Sequence, residues 1–110
     1  MIEREFIDYA QKFHMYHKNN NIKKANMYAK KMHALQNTIK DDANYRDILD
    51  KLLICSDKIV RIWTCCQCID LNYRKDDAFA ILNVLKSDTD EIISRDARML
   101  IFVKTEMKQK

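Results

Sequence analysis

The stretch "SDKIVRIWTCCQCIDL", residues 56–71, holds three of the four cysteines of the chain and its single tryptophan. On a helix, Val60, Trp63 and Thr64 share one face, and isoleucine and cysteine side chains occupy the others. A helix that is apolar on nearly all sides is enclosed by neighbouring elements. The stretch therefore predicts a helix at the centre of a core, with Asp57 as the cap of its first turn.

The cysteines of this stretch allow a functional interpretation as well as a packing one. Cys65 and Cys68 have the C-x-x-C spacing that occurs in zinc and redox sites. A zinc site would need further ligands, for which His14 and His17 are the available histidine pair. A redox pair normally begins a helix beside a strand, whereas this pair lies in mid-helix. Since free cysteine behaves as a small buried hydrophobe, we expect these side chains to fill space, with no metal and no cofactor.

The composition of the chain favours helices. Its 110 residues include no glycine and no proline, although the tight turns of strand-rich folds draw heavily on both. The absence of glycine also excludes a glycine-rich phosphate loop and a dinucleotide-binding fingerprint. We therefore expect a single all-α domain over residues 1–110.

Apolar residues recur every three or four positions in six segments, which predict six helices. In the second helix the inward stripe begins with Ile22, Ala25 and Ala29. The sequence "NNN" at 19–21 ends the first helix, because asparagine tolerates the left-handed conformation that glycine would otherwise supply. The predicted helices cover about residues 2–17, 22–38, 45–54, 58–71, 75–86 and 91–105.

The sequence repeats itself when it is shifted by 33 positions. Each unit consists of a helix, a tight acidic turn and a second helix, and one such pair cannot bury its own apolar face. We therefore expect about six helices arranged as three stacked helical hairpins. The matching pairs are Leu49 and Leu82, Leu52 and Leu85, Asp57 and Asp90, Val60 and Ile93, and Thr64 and Ala97.

The segment "LLICSDKIVRIWTCCQCIDL", residues 52–71, resembles the HEAT-repeat signature of a leucine-rich helix, an aspartate turn and a second helix with Val-Arg and small residues. The sequences "VRIWTC" at 60–65 and "RDARML" at 95–100 resemble a family of small, functionally uncharacterised bacterial HEAT-like proteins. The resemblance implies a short HEAT-like solenoid. The chain departs from the pattern at Ser56 and Lys58, where HEAT turns often hold proline beside the aspartate.

Small stand-alone helical proteins of this kind resemble immunity proteins of bacterial toxin systems. The resemblance implies a cytoplasmic, non-enzymatic protein that binds a cognate toxin domain, of the contact-dependent growth inhibition type, and occludes its active site. No residue is expected to be catalytic. The candidate partner-binding residues are the charged side chains on the second helix of each pair and at the last acidic turn: Lys23, Lys30, Lys31, Arg61, Arg95, Arg98, Asp90 and Glu91.

The charge of the chain leaves two other binding functions open. The formal net charge is +4, from 20 basic and 16 acidic residues, and the lysines of the second helix keep a HEAT-like nucleic-acid-binding module possible. A scaffold or oligomer-forming module is a further alternative. Charged residues interrupt the N-terminus, and no apolar run approaches the roughly 20 residues that span a bilayer. We therefore expect no membrane partner and a cytoplasmic location, in which cysteines stay reduced.

Overall fold

Helices make up the whole fold of the computed structural model, which describes residues 2–106 and has no strand in that range. The all-α class is confirmed, and the helix bounds lie within two residues of the predicted ones. None of the helices in this range is both long and apolar enough to cross a membrane. The helices are α1 (Ile2–Lys18), α2 (Ile22–Lys40), α3 (Tyr45–Leu53), α4 (Lys58–Asp70), α5 (Lys75–Leu85) and α6 (Glu91–Glu106).

Helix α4 lies at the centre of the core. Eight of its thirteen residues are buried, and α1, α3, α5 and α6 all pack against it. Thr64, Cys65 and Cys68 are fully buried, which confirms the packing interpretation of these two cysteines. Their small side chains let neighbouring helices approach α4 from several sides at once.

The repeat of 33 positions has the same local geometry in both of its copies. Asp57 Oδ1 accepts hydrogen bonds from the backbone N–H groups of Ile59 and Val60 at 2.9 and 3.4 Å. Asp90 makes the equivalent two bonds at the start of α6, at 3.0 and 3.4 Å. Each carboxylate accepts hydrogen bonds from backbone donors that have no partner within the helix. Its negative charge also interacts favourably with the positive end of the helix dipole. The paired core positions are also buried: Leu49, Leu82, Leu52, Leu85, Val60, Ile93, Thr64 and Ala97.

Asparagine takes the place of glycine where α1 and α4 end. Asn20 and Asn72 have φ angles of 59° and 54°, in the left-handed region that glycine normally supplies at a helix C-terminus. After α1, the N–H of Asn21 donates to the carbonyl of Tyr16 at 2.9 Å, and the N–H of Asn20 donates to that of His17 at 3.2 Å. The turn after α4 repeats this pair of bonds. The left-handed turn predicted for "NNN" is therefore confirmed.

The first helical pair is arranged differently from a regular stack. In a solenoid of three hairpins, the second helices α2, α4 and α6 would form one continuous layer. Here α1 packs more extensively than α2 against α4. Helix α1 also reaches the N-terminus of α6, where His14 Nε2 lies 3.9 Å from Asp90 Oδ2. Helix α2 packs mainly on α1. The HEAT-like solenoid therefore stays a prediction, while the all-helical class is established.

The substitution Asp57→Ala is expected to lower the free energy of unfolding by about 1–2 kcal/mol, because it removes the cap of α4. It also removes the acceptor of the bond that Gln11 Nε2 donates to Asp57 Oδ2 at 2.8 Å. Urea denaturation measures the change. Asp76→Ala is the matched control, since Asp76 is exposed in the first turn of α5 and its loss should change stability by less than about 0.5 kcal/mol. Equal losses in the two variants would contradict the capping role.

Candidate functional site

One face of the protein presents α4 between two grooves. The first groove separates α2 from α4 and is lined by His33, Gln36, Asn37, Lys40, Gln67, Asp70 and Leu71. The second separates α4 from α6, with a contribution from α1, and is lined by Phe13, Ile62, Trp63, Cys66, Asp96, Met99 and Leu100. We refer to these two grooves and the residues that line them as the α4 face.

Trp63 lies between the two grooves and is held by aromatic neighbours. Its ring meets that of Phe13 edge-on, at a centroid distance of 5.3 Å and an interplanar angle of 90°. On the α2 side, the ring of His33 lies at 5.7 Å. Edge-to-face pairs of this kind are favourable for aromatic rings. Trp63 is half-buried, so the α4 face contains a fixed aromatic side chain that is still partly accessible.

The groove between α2 and α4 is polar, and side-chain hydrogen bonds connect the two helices at its base. Gln67 Nε2 donates to the carbonyl of Gln36 at 2.8 Å, and Gln36 Nε2 donates to the carbonyl of Trp63 at 3.4 Å. Gln67 is 5% exposed, and its Oε1 has no hydrogen-bond partner in the part of the chain that the structure describes. These bonds fix the C-terminal half of α2 against α4.

The groove between α4 and α6 is apolar and small. Its volume is about 220 Å³, which is less than the roughly 300–1,000 Å³ of pockets that hold small-molecule ligands. Its one carboxylate, Asp96, is half-buried, and burial raises the pKa of this group. A groove of this size and character suits one or two apolar side chains of a binding partner better than it suits a metabolite.

An exposed apolar patch on α6 adjoins this groove. Met99 is 61% exposed and Phe102 63% exposed, and Val103 beside them is also exposed. Apolar side chains that are clustered on a surface, rather than scattered singly, mark sites of interaction. We refer to these three residues as the α6 patch.

Three of the predicted partner-binding residues lie on the same side of α6 as the α6 patch. Glu91, Arg95 and Arg98 are all exposed. Together with Phe102, they follow one another at spacings of four, three and four residues, which places them on one stripe of α6. Arg95 and Arg98 therefore lie beside the α6 patch, while Glu91 lies about two helical turns before it on the same stripe.

Two other predicted residues are not freely exposed: Asp90 has charged partners, and Arg61 is half-buried. Asp90 caps α6 and lies 3.9 Å from both His14 Nε2 and Lys18 Nζ. Arg61 is half-buried on α4, and its Nε is buried without a hydrogen-bond partner among residues 2–106. Asp90 therefore connects α1 to the start of α6.

The predicted lysines of α2 lie apart from the α6 patch. Lys31 Nζ is 5.7 Å from the ring centroid of Tyr9 and 5.5 Å from that of Tyr28, on the side of α2 that faces α1. His33 and Gln36 lie on the opposite side, against α4. Lys23 and Lys30 are exposed. The charged residues predicted to form one surface are thus divided between two.

The buried thiols have raised pKa values. Burial raises the pKa of Cys65 and of Cys68 to about 12, and it also raises the pKa of Cys66, which lines the apolar groove. Because the thiolate is the reactive form, the two fully buried thiols, Cys65 and Cys68, stay protonated near neutral pH. Within residues 2–106, no three His, Cys, Asp or Glu side chains are grouped as metal ligands would be.

No protein-family model matches the chain, and no curated protein or solved structure is significantly similar to it. The resemblance to HEAT repeats and to immunity proteins therefore stays a prediction. Of the residues that carry this resemblance, Asp57 caps α4, Val60 is fully buried and Arg61 is half-buried.

The sequence contained a signal for the α6 patch that the predicted set of binding residues did not include. The apolar spacing of α6 predicts an inward stripe of Ile93, Ala97, Leu100 and Ile101. Met99, Phe102 and Val103 are apolar but lie outside that stripe. Large apolar residues beyond the inward stripe of an amphipathic helix indicate a second apolar contact, with another element or with another molecule.

The free energy of unfolding is expected to fall as the pH rises above about 9. In the folded chain Cys65 and Cys68 keep their protons up to a pKa of about 12, whereas in the unfolded chain they ionise near their ordinary value of 9.0. Between these values the folded state binds more protons, so rising pH favours unfolding. Urea denaturation at a series of pH values measures the slope.

Tyrosine and lysine also ionise in this range and contribute to the slope. The slope of the wild type is therefore compared with that of the double variant Cys65→Ala/Cys68→Ala. This variant should be less stable at neutral pH, because it leaves small cavities in the core, and its stability should decline less steeply between pH 9.0 and about 12. Identical slopes for the two proteins would contradict the burial of these thiols.

Proposed function

We propose that the chain is a non-enzymatic protein-binding domain whose partner docks on the α6 patch and the adjoining apolar groove. The single observation that carries this proposal is the exposure of Met99 and Phe102 beside a groove that contains the fixed ring of Trp63. An apolar cluster of this kind loses its contact with water only when another molecule covers it.

The residue types at this position support a protein partner. The centres of protein interfaces are enriched in aromatic residues, methionine and arginine, while their rims are polar. Trp63, Phe102 and Met99 provide the first two kinds of side chain, and Arg95 and Arg98 lie along the edge. Tryptophan and arginine are also among the residues whose truncation usually costs the most affinity.

The geometry of the groove suggests how the partner binds. An apolar side chain of the partner enters the space between α4 and α6 and covers Met99, which removes apolar surface from water at roughly 25 cal/mol per Å². Phe13 and His33 already hold the ring of Trp63, so little conformational entropy is lost at this position on binding. Arg95 and Arg98 then determine the orientation of the partner through hydrogen bonds and charge.

We further propose that the partner is a cognate bacterial toxin domain, which the chain neutralises in the cytoplasm by covering its active site. The segment 95–100, which carries part of the resemblance to HEAT-like proteins, also supplies Arg95, Arg98 and Met99 of the proposed interface. Occlusion needs a stable body and a complementary surface and requires no catalytic group. A domain of principal dimensions 35 × 31 × 29 Å is large enough to cover a single catalytic cleft.

The double variant Met99→Ser/Phe102→Ser is expected to lose at least tenfold in affinity for the partner, because it removes apolar side chains from the centre of the interface. The partner is first captured from native cells with the tagged wild-type chain, and titration calorimetry then measures its affinity for each variant. Ile54→Ser/Val84→Ser is the matched control. These residues are 82% and 75% exposed and lie at the end of α3 and on α5. Equal affinity losses in the two double variants would contradict binding at the α6 patch.

The toxin assignment has its own test. The captured partner's domain is expressed alone and then together with the chain, and growth of the host is recorded. We expect the domain to arrest growth, the wild-type chain to restore it, and Met99→Ser/Phe102→Ser to fail to restore it. A partner that binds the α6 patch but leaves growth unaffected would contradict the immunity role while retaining the protein-binding role.

A further inference from the structure

Helix α2 carries the whole net positive charge of the chain. Its residues Ile22–Lys40 include five lysines and no aspartate or glutamate. The rest of the chain has fifteen basic and sixteen acidic residues, since the total is 20 basic and 16 acidic. The charge of the protein is therefore concentrated along one helix, as it is in proteins that bind polyanions.

The lysines of α2 have no acidic partner among the residues that the structure describes. Within residues 2–106, the ion pairs involve lysines and arginines of other elements, and none involves a lysine of α2. Lys23 and Lys24 lie in the first turn of α2, which contains no acidic residue. A cation at this position is opposed by the helix dipole, whose positive end is there. The position of these two lysines is therefore unfavourable in the free chain, and a bound anion would stabilise it.

Three tyrosines form a cluster beside these lysines, across the interface of α1 and α2. The rings of Tyr16 and Tyr28 are stacked, at a centroid distance of 5.7 Å and an interplanar angle of 12°. The ring of Tyr9 lies 6.1 Å from that of Tyr28. All three side chains are half-buried, so their rings are held in place and remain partly accessible.

A lysine ammonium group lies over each of these rings. Lys24 Nζ is 5.2 Å from the centroid of Tyr16, and Lys12 Nζ is 5.7 Å from that of Tyr28. Lys31 covers both Tyr9 and Tyr28. We refer to the six residues Tyr9, Lys12, Tyr16, Lys24, Tyr28 and Lys31 as the tyrosine–lysine surface.

The charge extends from this surface over the outer side of α2. Met27 is exposed there, and the residues three and four positions away from it in both directions are lysines: Lys23, Lys24, Lys30 and Lys31. Residues at these spacings are neighbours on a helix. On the α1 side of this surface, Asp8 pairs with Lys12 at 3.4 Å and Glu5 accepts a hydrogen bond from Tyr9 at 3.5 Å.

We propose that the tyrosine–lysine surface binds single-stranded nucleic acid. The lysines contact the phosphates, and the tyrosine rings stack on the bases. In the free protein each ammonium group is attracted to a ring face; a phosphate, which carries a full negative charge, draws it away and leaves the ring face open to a base. Proteins that bind single strands combine a positively charged surface with aromatic platforms in this way. A duplex keeps its bases stacked inside and would use only the lysines.

This surface is separate from the α6 patch. Lys31 and Tyr28 lie on the side of α2 that packs with α1, whereas His33 and Gln36 face α4 on the other side. The proposal of nucleic-acid binding does not depend on the proposed protein partner, and either can fail while the other holds.

Fluorescence anisotropy with a dye-labelled single strand of roughly 12 nucleotides tests the proposal, since small binding modules cover about this length. We expect wild-type affinity to fall steeply with salt. The variant Lys24→Gln/Lys31→Gln should bind about tenfold more weakly, and its plot of log affinity against log salt should be shallower by about 1.4, since each phosphate contact to a single strand contributes about 0.7. Lys75→Gln/Lys86→Gln, which changes the net charge equally at α5 and its C-terminal cap, should bind like the wild type.

A second pair of variants tests the stacking. Tyr28→Leu should lose about tenfold in affinity, because it removes a ring that can stack on a base, whereas Tyr28→Phe keeps the ring and should bind like the wild type. Circular dichroism melting confirms that each variant is folded. Lys24 and Lys31 are exposed, so the variant Lys24→Gln/Lys31→Gln remains informative if Tyr28→Leu is unfolded.

Four outcomes would overturn the proposal. The first is the absence of salt-sensitive binding to single strands. The second is equal affinity for a duplex of the same sequence, which would exclude stacking. The third is an equal loss of affinity in the control Lys75→Gln/Lys86→Gln, which would attribute the effect to net charge alone. The fourth is binding to vesicles of phosphatidylserine and phosphatidylcholine without binding to the oligonucleotide, which would assign the surface to a membrane.

Discussion

The enclosure of α4 by α1, α3, α5 and α6 is the constraint on which the rest of the structure depends. A helix this apolar is stable in water only when its sides are covered, and the small side chains of Thr64, Cys65 and Cys68 allow neighbouring helices to cover it. One stripe of α4 stays incompletely covered, formed by Trp63, Cys66 and Asp70 at spacings of three and four residues. This stripe separates the two grooves of the α4 face, so the candidate site is the part of the central helix that the fold leaves open.

The helices and their ends were predictable because their determinants are local. Three kinds of local signal specify them: the capping aspartates, the left-handed asparagine in the turn after α1, and the apolar spacing. Each acts within a few residues of the feature that it specifies. Even so, Ile22 was wrongly assigned to the inward stripe, since it is 57% exposed. The fully covered line of α2 runs through Ala25, Met32 and Ile39 at intervals of seven, and Ile22 lies to one side of it.

The arrangement of the first helical pair was not predictable from the sequence. Whether α1 or α2 packs more extensively against α4 depends on contacts between residues far apart in the chain, such as Phe13 with Trp63 and Gln11 with Asp57. The same holds for the candidate surfaces. Tyr9 and Tyr16 follow the three- and four-residue spacing of the apolar residues of α1. Only the packing of α2 on α1 places Tyr28 against them, with lysines above the rings. The periodicity gives the side of a helix that is covered, but it does not give the element that covers it.

The concentration of lysine on α2 makes the molecule an electric dipole, with its positive pole on the first helical pair and a slightly acidic remainder. Near a strongly charged polyanion, the attraction of this pole exerts a torque on the protein over distances of about the Debye length, ~8 Å at physiological ionic strength. The protein would then settle with α1 and α2 toward the polyanion. Since Met99 and Phe102 lie on α6, outside the tyrosine–lysine surface, the apolar patch would stay free to recruit a second molecule.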